Sequence, residues 1–175
     1  MTLSAEPQAG ESSLAATVGR VAGVIGHPHY PTGDRAALKR WSPDQPMPLA
    51  FYRLWLRHVG DALPSEAQAP TWMALAWGLA TLGASSHRKE RPLGRALAES
   101  GFAEARLERL LGAPDDLRVE LFMSMVRFLA AKNESFDWLD AATFLLTTDA
   151  PTRERVCRRI AQAFYRHQPR DNAKE

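Results

Sequence analysis

Apolar residues recur at helical spacing along most of the chain. Leu14, Val18, Val21 and Ile25 line one face of a helix over residues 12–25, which Gly26 ends. The His27-Pro28-His29-Tyr30-Pro31 stretch reads as a connector, because a proline disfavours helix at the residue before it. Thr32 or Asp34 is placed to cap a short second helix reaching Arg40. Pro48 suits the first turn of a third helix, 48–59, with Leu49, Tyr52, Leu56 and Val59 as its apolar stripe. Arg53 and Arg57 share a side of that helix at i and i+4. A fourth helix, 70–82, places Trp72, Leu75, Ala76 and Leu79 at core spacing. Short helices follow over Leu93–Glu99, broken at Ser100-Gly101, and over 103–111, ended by Gly112. A long seventh helix starts at Asp115-Asp116 and turns Leu117, Leu121, Met125 and Phe128 inward. The eighth covers 135–146, and the ninth covers 151–167 with Pro151 in its first turn.

No segment sustains period-two alternation with β-branched residues. The expected fold class is therefore all-α, a compact bundle of about eight or nine helices. The expected divisions are a loose tail over 1–11, then lobes over 12–112 and 113–175 that meet near Gly112-Ala113-Pro114.

The ninth helix changes the picture. Taking Arg155 as zero at about 100° per residue, Arg158, Arg159 and Arg166 fall within about 60° of it. Val156, Ile160, Ala163 and Phe164 fall on the other side, and Glu154 is the helix's one acid. Such an arginine face often means only solvation, but so few acids point toward anion binding. Charge is also segregated along the chain. Residues 101–150 carry five Lys/Arg and nine Asp/Glu, a net of −4. Residues 151–175 carry seven Lys/Arg and three Asp/Glu, a net of +4. The total of +2 hides that contrast, and a local basic patch can hold phosphate on a nearly neutral protein.

Other chemistries find little support. With one cysteine, Cys157, no intramolecular disulfide and no cysteine-based zinc site can form. His27 and His29 have an H-x-H spacing, but His58, His87 and His167 sit in distant segments. Asp115 and Asp116 are read as acids offsetting a helix dipole rather than as a metal-binding pair. No nucleophile-base set stands out, so the chain is expected not to be an enzyme and to need no cofactor. No signal peptide or membrane span is read, and the expected location is the cytoplasm.

Four segments, in order, resemble the CasB family, the small subunit of the type I-E CRISPR Cascade complex. They are Gly33-Asp34-Arg35-Ala36-Ala37-Leu38-Lys39-Arg40, Ala50-Phe51-Tyr52-Arg53-Leu54, and Leu93-Gly94-Arg95-Ala96-Leu97-Ala98-Glu99-Ser100-Gly101. The fourth runs from Phe136-Asp137-Trp138 to Arg153-Glu154-Arg155 and Ala163-Phe164-Tyr165. Together they cover nearly all of the chain from Thr32 to Tyr165.

The resemblance implies a two-lobed helical protein without catalytic residues. It implies partners in the subunits that carry the guide RNA, in the large subunit, and in a second copy head to tail. It also implies contact with target and displaced DNA that stabilises the R-loop without reading sequence. Lys39 and Arg40 stand where the family has a basic pair. Arg106 and Arg127 match further basic positions, and Arg153, Arg155, Arg158 and Arg159 match the basic cluster before the final aromatic pair. Arg53 and Arg57 join them as candidate nucleic-acid-binding residues. One basic position of some members is Thr71 here, and the Arg88-Lys89-Arg91 loop is a candidate replacement. Among the tryptophans only Trp41, beside Lys39-Arg40, is a candidate for stacking on an unpaired base. Two other classes remain open: a helix-turn-helix regulator reading duplex DNA, and an adaptor that binds only protein.

Overall fold

The computed structural model describes residues 9–170, with side chains from Ser13 onward. Among these residues there are nine helices and no strand, so the fold is all-α. In order they are α1 (Ala9–Gly26), α2 (Thr32–Lys39), α3 (Leu49–His58), α4 (Ala69–Leu82) and α5 (Leu93–Glu99). Then come α6 (Glu104–Leu111), α7 (Asp115–Ala131), α8 (Trp138–Leu146) and α9 (Ala150–His167). An isolated bridge joins His87 to Phe136. The first helix begins before the expected Ser12, and the earlier part of the expected tail, 1–8, lies outside the described residues.

α4 forms the centre. Every residue from Trp72 to Ala80 is buried, and α1, α2, α7 and α8 all pack against it. Gly78 matters there because the Trp138 ring lies over it. An added Cβ would overlap that ring, with Cζ3 only 2.9 Å away. Trp138 also stacks on Phe136 at 4.6 Å and donates its Nε1–H to Ser86 O at 3.0 Å. The Phe136-Asp137-Trp138 segment thus plugs the core, while Asp137 caps α8 by accepting from Leu139 N at 2.9 Å. One apolar cluster runs from Val18 to Phe164, with α1 against α8 and α5 along α9.

Two expected faces are rotated. On α3 the buried residues are Ala50, Phe51, Leu54 and Trp55, while Leu49 and Leu56 are 69% and 48% exposed. Trp55 decides the phase, meeting Trp72 edge-on at 5.0 Å and donating its Nε1–H to Ala62 O. On α7 the buried arc is Phe122, Met123, Met125, Val126 and Leu129. Leu117 is exposed, Leu121 and Phe128 are half-buried, and only Met125 of the expected set is fully inside. Two start signals also differ. Pro48 is the residue before α3, and neither Thr32 nor Asp34 caps α2, whose preceding residue is Pro31. Asp34 instead pairs with Arg53. Among the described residues no helix is long and apolar enough to cross a membrane.

Candidate nucleic-acid interface

α9 is held from one side and open on the other. Asp149 caps it by accepting from Thr152 N at 2.8 Å, with Pro151 in the first turn. Val156, Ile160 and Phe164 are buried, and each such side chain contributes about 1.5–3 kcal/mol. The backbone of α9 approaches α5 so closely that only glycine fits at position 94. An added Cβ there would overlap Ile160 O and lie 2.8 Å from Phe164 N.

The rest of the Leu93–Gly101 motif completes this seam. Buried Asp140 of α8 accepts from Leu93 N at 3.1 Å and from Arg159 Nε at 3.0 Å. Burial raises the Asp140 pKa, and Arg159 works against that rise. Ser100 Oγ donates to Ala96 O, and Gly101 takes φ +76° just past the helix end. Arg95 pairs with Glu99, four residues on, at 2.7 Å.

The candidate basic residues divide into two groups. Arg53, Arg153 and Arg159 are engaged inside the fold. Arg53 meets Asp34 at 2.7 Å and ties α3 to α2. Arg153 meets Asp115 at 3.1 Å and Thr147 O at 2.9 Å, so it fastens α9 to the start of α7. Arg159 holds Asp140 while its own side chain remains 47% exposed.

Lys39, Arg40, Arg57, Arg106, Arg127, Arg155 and Arg158 are exposed, and among the described residues none reaches a carboxylate within 4 Å. Glu154 stands four residues before Arg158 without forming that pair. Arg155 donates only to Thr152 Oγ1, at 2.8 Å. Arg106 lies over the rings of Phe102 and Phe128 at 4.6 and 5.3 Å, and Arg127 over Trp77 at 5.1 Å. Arg127 also lines a cavity beside Asp44, Asp116 and Glu120.

Two expectations change here. Trp41 is buried and donates its Nε1–H to Gln45 O, so it is not placed to stack on a base. Arg91 is buried between Glu99 and Glu134, leaving only Arg88 and Lys89 exposed in their loop. Arg166, on the face of α9 read from the sequence, lines a groove with Arg159 and is a further exposed cation. Asp115 pairs with Arg118 and Arg153, and among the described residues no three His, Cys, Asp or Glu side chains are placed to hold a metal ion. Cys157 is half-buried, and burial raises its pKa.

These features define a class: a small all-helical protein whose arginines split between internal ion pairs and an open surface. The family model of the CRISPR-associated protein Cse2 matches residues 34–165, and the chain belongs to that family. Cse2, or CasB, is the small subunit of type I-E Cascade, and the match spans the four segments that carried the resemblance from Asp34 through Tyr165. No curated protein and no solved structure matches the chain.

Proposed function

We propose that this protein is a non-catalytic small subunit of a cytoplasmic Cascade complex that holds DNA through phosphate contacts and so stabilises the R-loop. The observation that carries this reading is the outer face of α9. Arg155, Arg158 and Arg166 share one side of a helix whose other side is anchored, and no carboxylate of the described residues lies within 4 Å of them. Guanidinium groups held this way suit phosphate. Lys39, Arg40, Arg57 and Arg106 extend the set, and Arg127 contributes less because acids surround it.

Base pairing with a guide supplies specificity in such complexes, and backbone contacts tip a nearly balanced strand exchange. The proposed partners are the guide-RNA-bearing subunits, the large subunit, and a second copy joined head to tail. Charge contrast supports the last. Glu104, Glu108 and Glu154 line one groove, whereas the arginines of α9 face elsewhere.

The test is a titration of random duplex and single-stranded DNA at several salt concentrations. Replacing Arg155 and Arg158 by alanine should make the slope of log affinity against log salt shallower by about 0.7–0.9 per lost contact. All sequences should be affected alike, because phosphates carry no sequence information. In the assembled complex, the same variant should weaken R-loop formation and leave guide loading intact. An unchanged slope with normal target binding would mean this face is only solvated.

A further inference from the structure

His58, distant in sequence, joins His27 and His29 around one cavity of about 400 Å³. The cavity lies between α1, the connector 27–31 and the end of α3. Its floor is the Gly19 and Gly23 side of α1, Arg20 and Tyr30 lie in its wall, and no acid lines it. All its lining residues except His58 precede the segment matched by the family model.

No crowding within the described chain requires the two floor glycines. A Cβ at either would meet nothing within 4 Å. Glycine inside a helix is unfavourable relative to alanine, and its effect here is to leave backbone bare where a flat ligand can lie close. Tyr30 closes the wall as a buried side chain. It is only 7% exposed, and its hydroxyl reaches no partner among the described residues. Buried polar groups are normally paired. Burial and then Asp34 push its pKa up to about 12, so the phenol stays protonated.

The surroundings suit an anion bearing a flat ring. Three carbonyls near the two helix ends already accept from arginines. Arg35 donates to Ile25 O at 2.8 Å and to His27 O at 3.1 Å, and Arg20 donates to Val59 O at 3.3 Å. His29 N donates to His27 Nδ1 at 3.1 Å, which holds the two rings 5.5 Å apart at 39°. The volume lies in the range of small-molecule sites.

We propose that this cavity binds a single nucleotide, its phosphate against Arg20 and the imidazoles and its base over the Gly19–Gly23 floor. The site is separate from the arginine face of α9. It rests on the nucleic-acid reading only for the nucleotide's source, which is either free nucleotide or an unpaired unit of a bound strand.

The test is a titration of the full chain with thymidine monophosphate, followed by the imidazole signals in NMR. The signals of His27, His29 and His58 should move saturably, and thymidine without its phosphate should bind about tenfold or more weakly. Gly23→Leu, which fills the floor, should abolish the movement, and His58→Ala should weaken it if the leucine variant does not fold. Oligothymidylate acting at lower concentration than the mononucleotide, with an abasic strand inactive, assigns the site to a strand unit. Response to the mononucleotide alone assigns it to free nucleotide.

Arg155→Ala with Arg158→Ala should leave these shifts intact, and Gly23→Leu should leave the salt slope for duplex DNA unchanged. Either reading can therefore fail without the other. No imidazole movement at millimolar nucleotide, the same movement in folded Gly23→Leu, or displacement of the nucleotide by hexaglutamate would overturn the site.

Discussion

Gly94 in α5 and Gly23 in α1 are both helical glycines, yet one is enclosed by a neighbouring backbone and the other faces open space. Around Gly94, α5 and α9 come together with main chain against main chain, and Asp140 draws both helices to α8. Around Gly23 there is no such partner, only a cavity on each flank of α1. The same residue type thus answers two demands. At the seam it permits packing within the fold, and this explains why the most recognisable motif is structural rather than a binding signature. On α1 nothing within the fold asks for it, which directs attention outward.

The largest expected effect comes from filling the seam. Gly94→Ala puts a methyl against Ile160 O, a backbone atom that cannot rotate away. Overpacking of this kind should cost about 3 kcal/mol or more, read as a lowered urea midpoint. A loss within about 0.5 kcal/mol would show that α5 and α9 are not held as closely as described, and the contrast with α1 would collapse.

Next comes the ion pair that closes the seam. Arg159→Ala leaves Asp140 buried with only Leu93 N as donor, and should cost about 1–3 kcal/mol. Arg155→Ala and Arg158→Ala should each stay within about 0.5 kcal/mol. The Arg159 deficit should also depend on pH. Burial raises the Asp140 pKa, and removing Arg159 raises it further. A carboxyl with a raised folded pKa favours the fold when protonated, and that contribution is lost as pH rises. The deficit should therefore be larger at neutral pH than in acid. Equal costs for all three arginines would erase the division between engaged and open residues.

That division was only half visible in the sequence. Helix order, the apolar side of α9 and its arginine face follow from spacing, and the structure places them as expected. The long-range pairs do not follow from spacing, because Arg53–Asp34, Arg159–Asp140 and Arg153–Asp115 join different helices. The α3 phase failed for a related reason. Both Leu49/Tyr52/Leu56 and Phe51/Leu54/Trp55 are plausible stripes, and the indole packing on Trp72 selects the second. On α7, apolar residues occupy too many positions from 121 to 129 for periodicity to choose a face. His58 was read as too distant to join His27 and His29, and tertiary packing alone brings it to their cavity. The glycine spacing on α1 was the one local signal.

His87 tests the other flank of α1, where it lines a cavity with Gly19 and Gly23. Its Nδ1 accepts from Trp138 N at 3.1 Å, so protonation there breaks the bond. Burial lowers its pKa, Asp137 at 3.9 Å works to raise it, and Lys89 lowers it. A base with a lowered folded pKa contributes stability above its unfolded pKa, and loses it as pH falls. Stability should drop on acidification from about pH 7, by at most about 1.4 kcal/mol per pH unit for one proton. His87→Asn, which keeps an acceptor near Nδ1, should flatten that part of the curve. Identical pH curves for the two proteins would show that His87 does not titrate against folding.

The smallest expected effect is a gain. Gly23 is exposed, lies inside α1, and has nothing within 4 Å of where a Cβ would be. It does not need a left-handed backbone, since the positive-φ glycines are Gly83 and Gly101 among the described residues. Alanine restricts the unfolded chain and favours helix, so Gly23→Ala should stabilise the protein by about 0.5–1 kcal/mol. The urea midpoint of the isolated protein reads this gain. The methyl also narrows the floor of the proposed nucleotide cavity, so the same variant should bind thymidine monophosphate more weakly. Stability and binding should therefore move in opposite directions. A stabilised variant with unchanged nucleotide binding would mean that the glycine face does not support the ligand. A destabilised variant would mean that α1 packs more tightly there than the open space indicates, and Gly23 would then belong with Gly94.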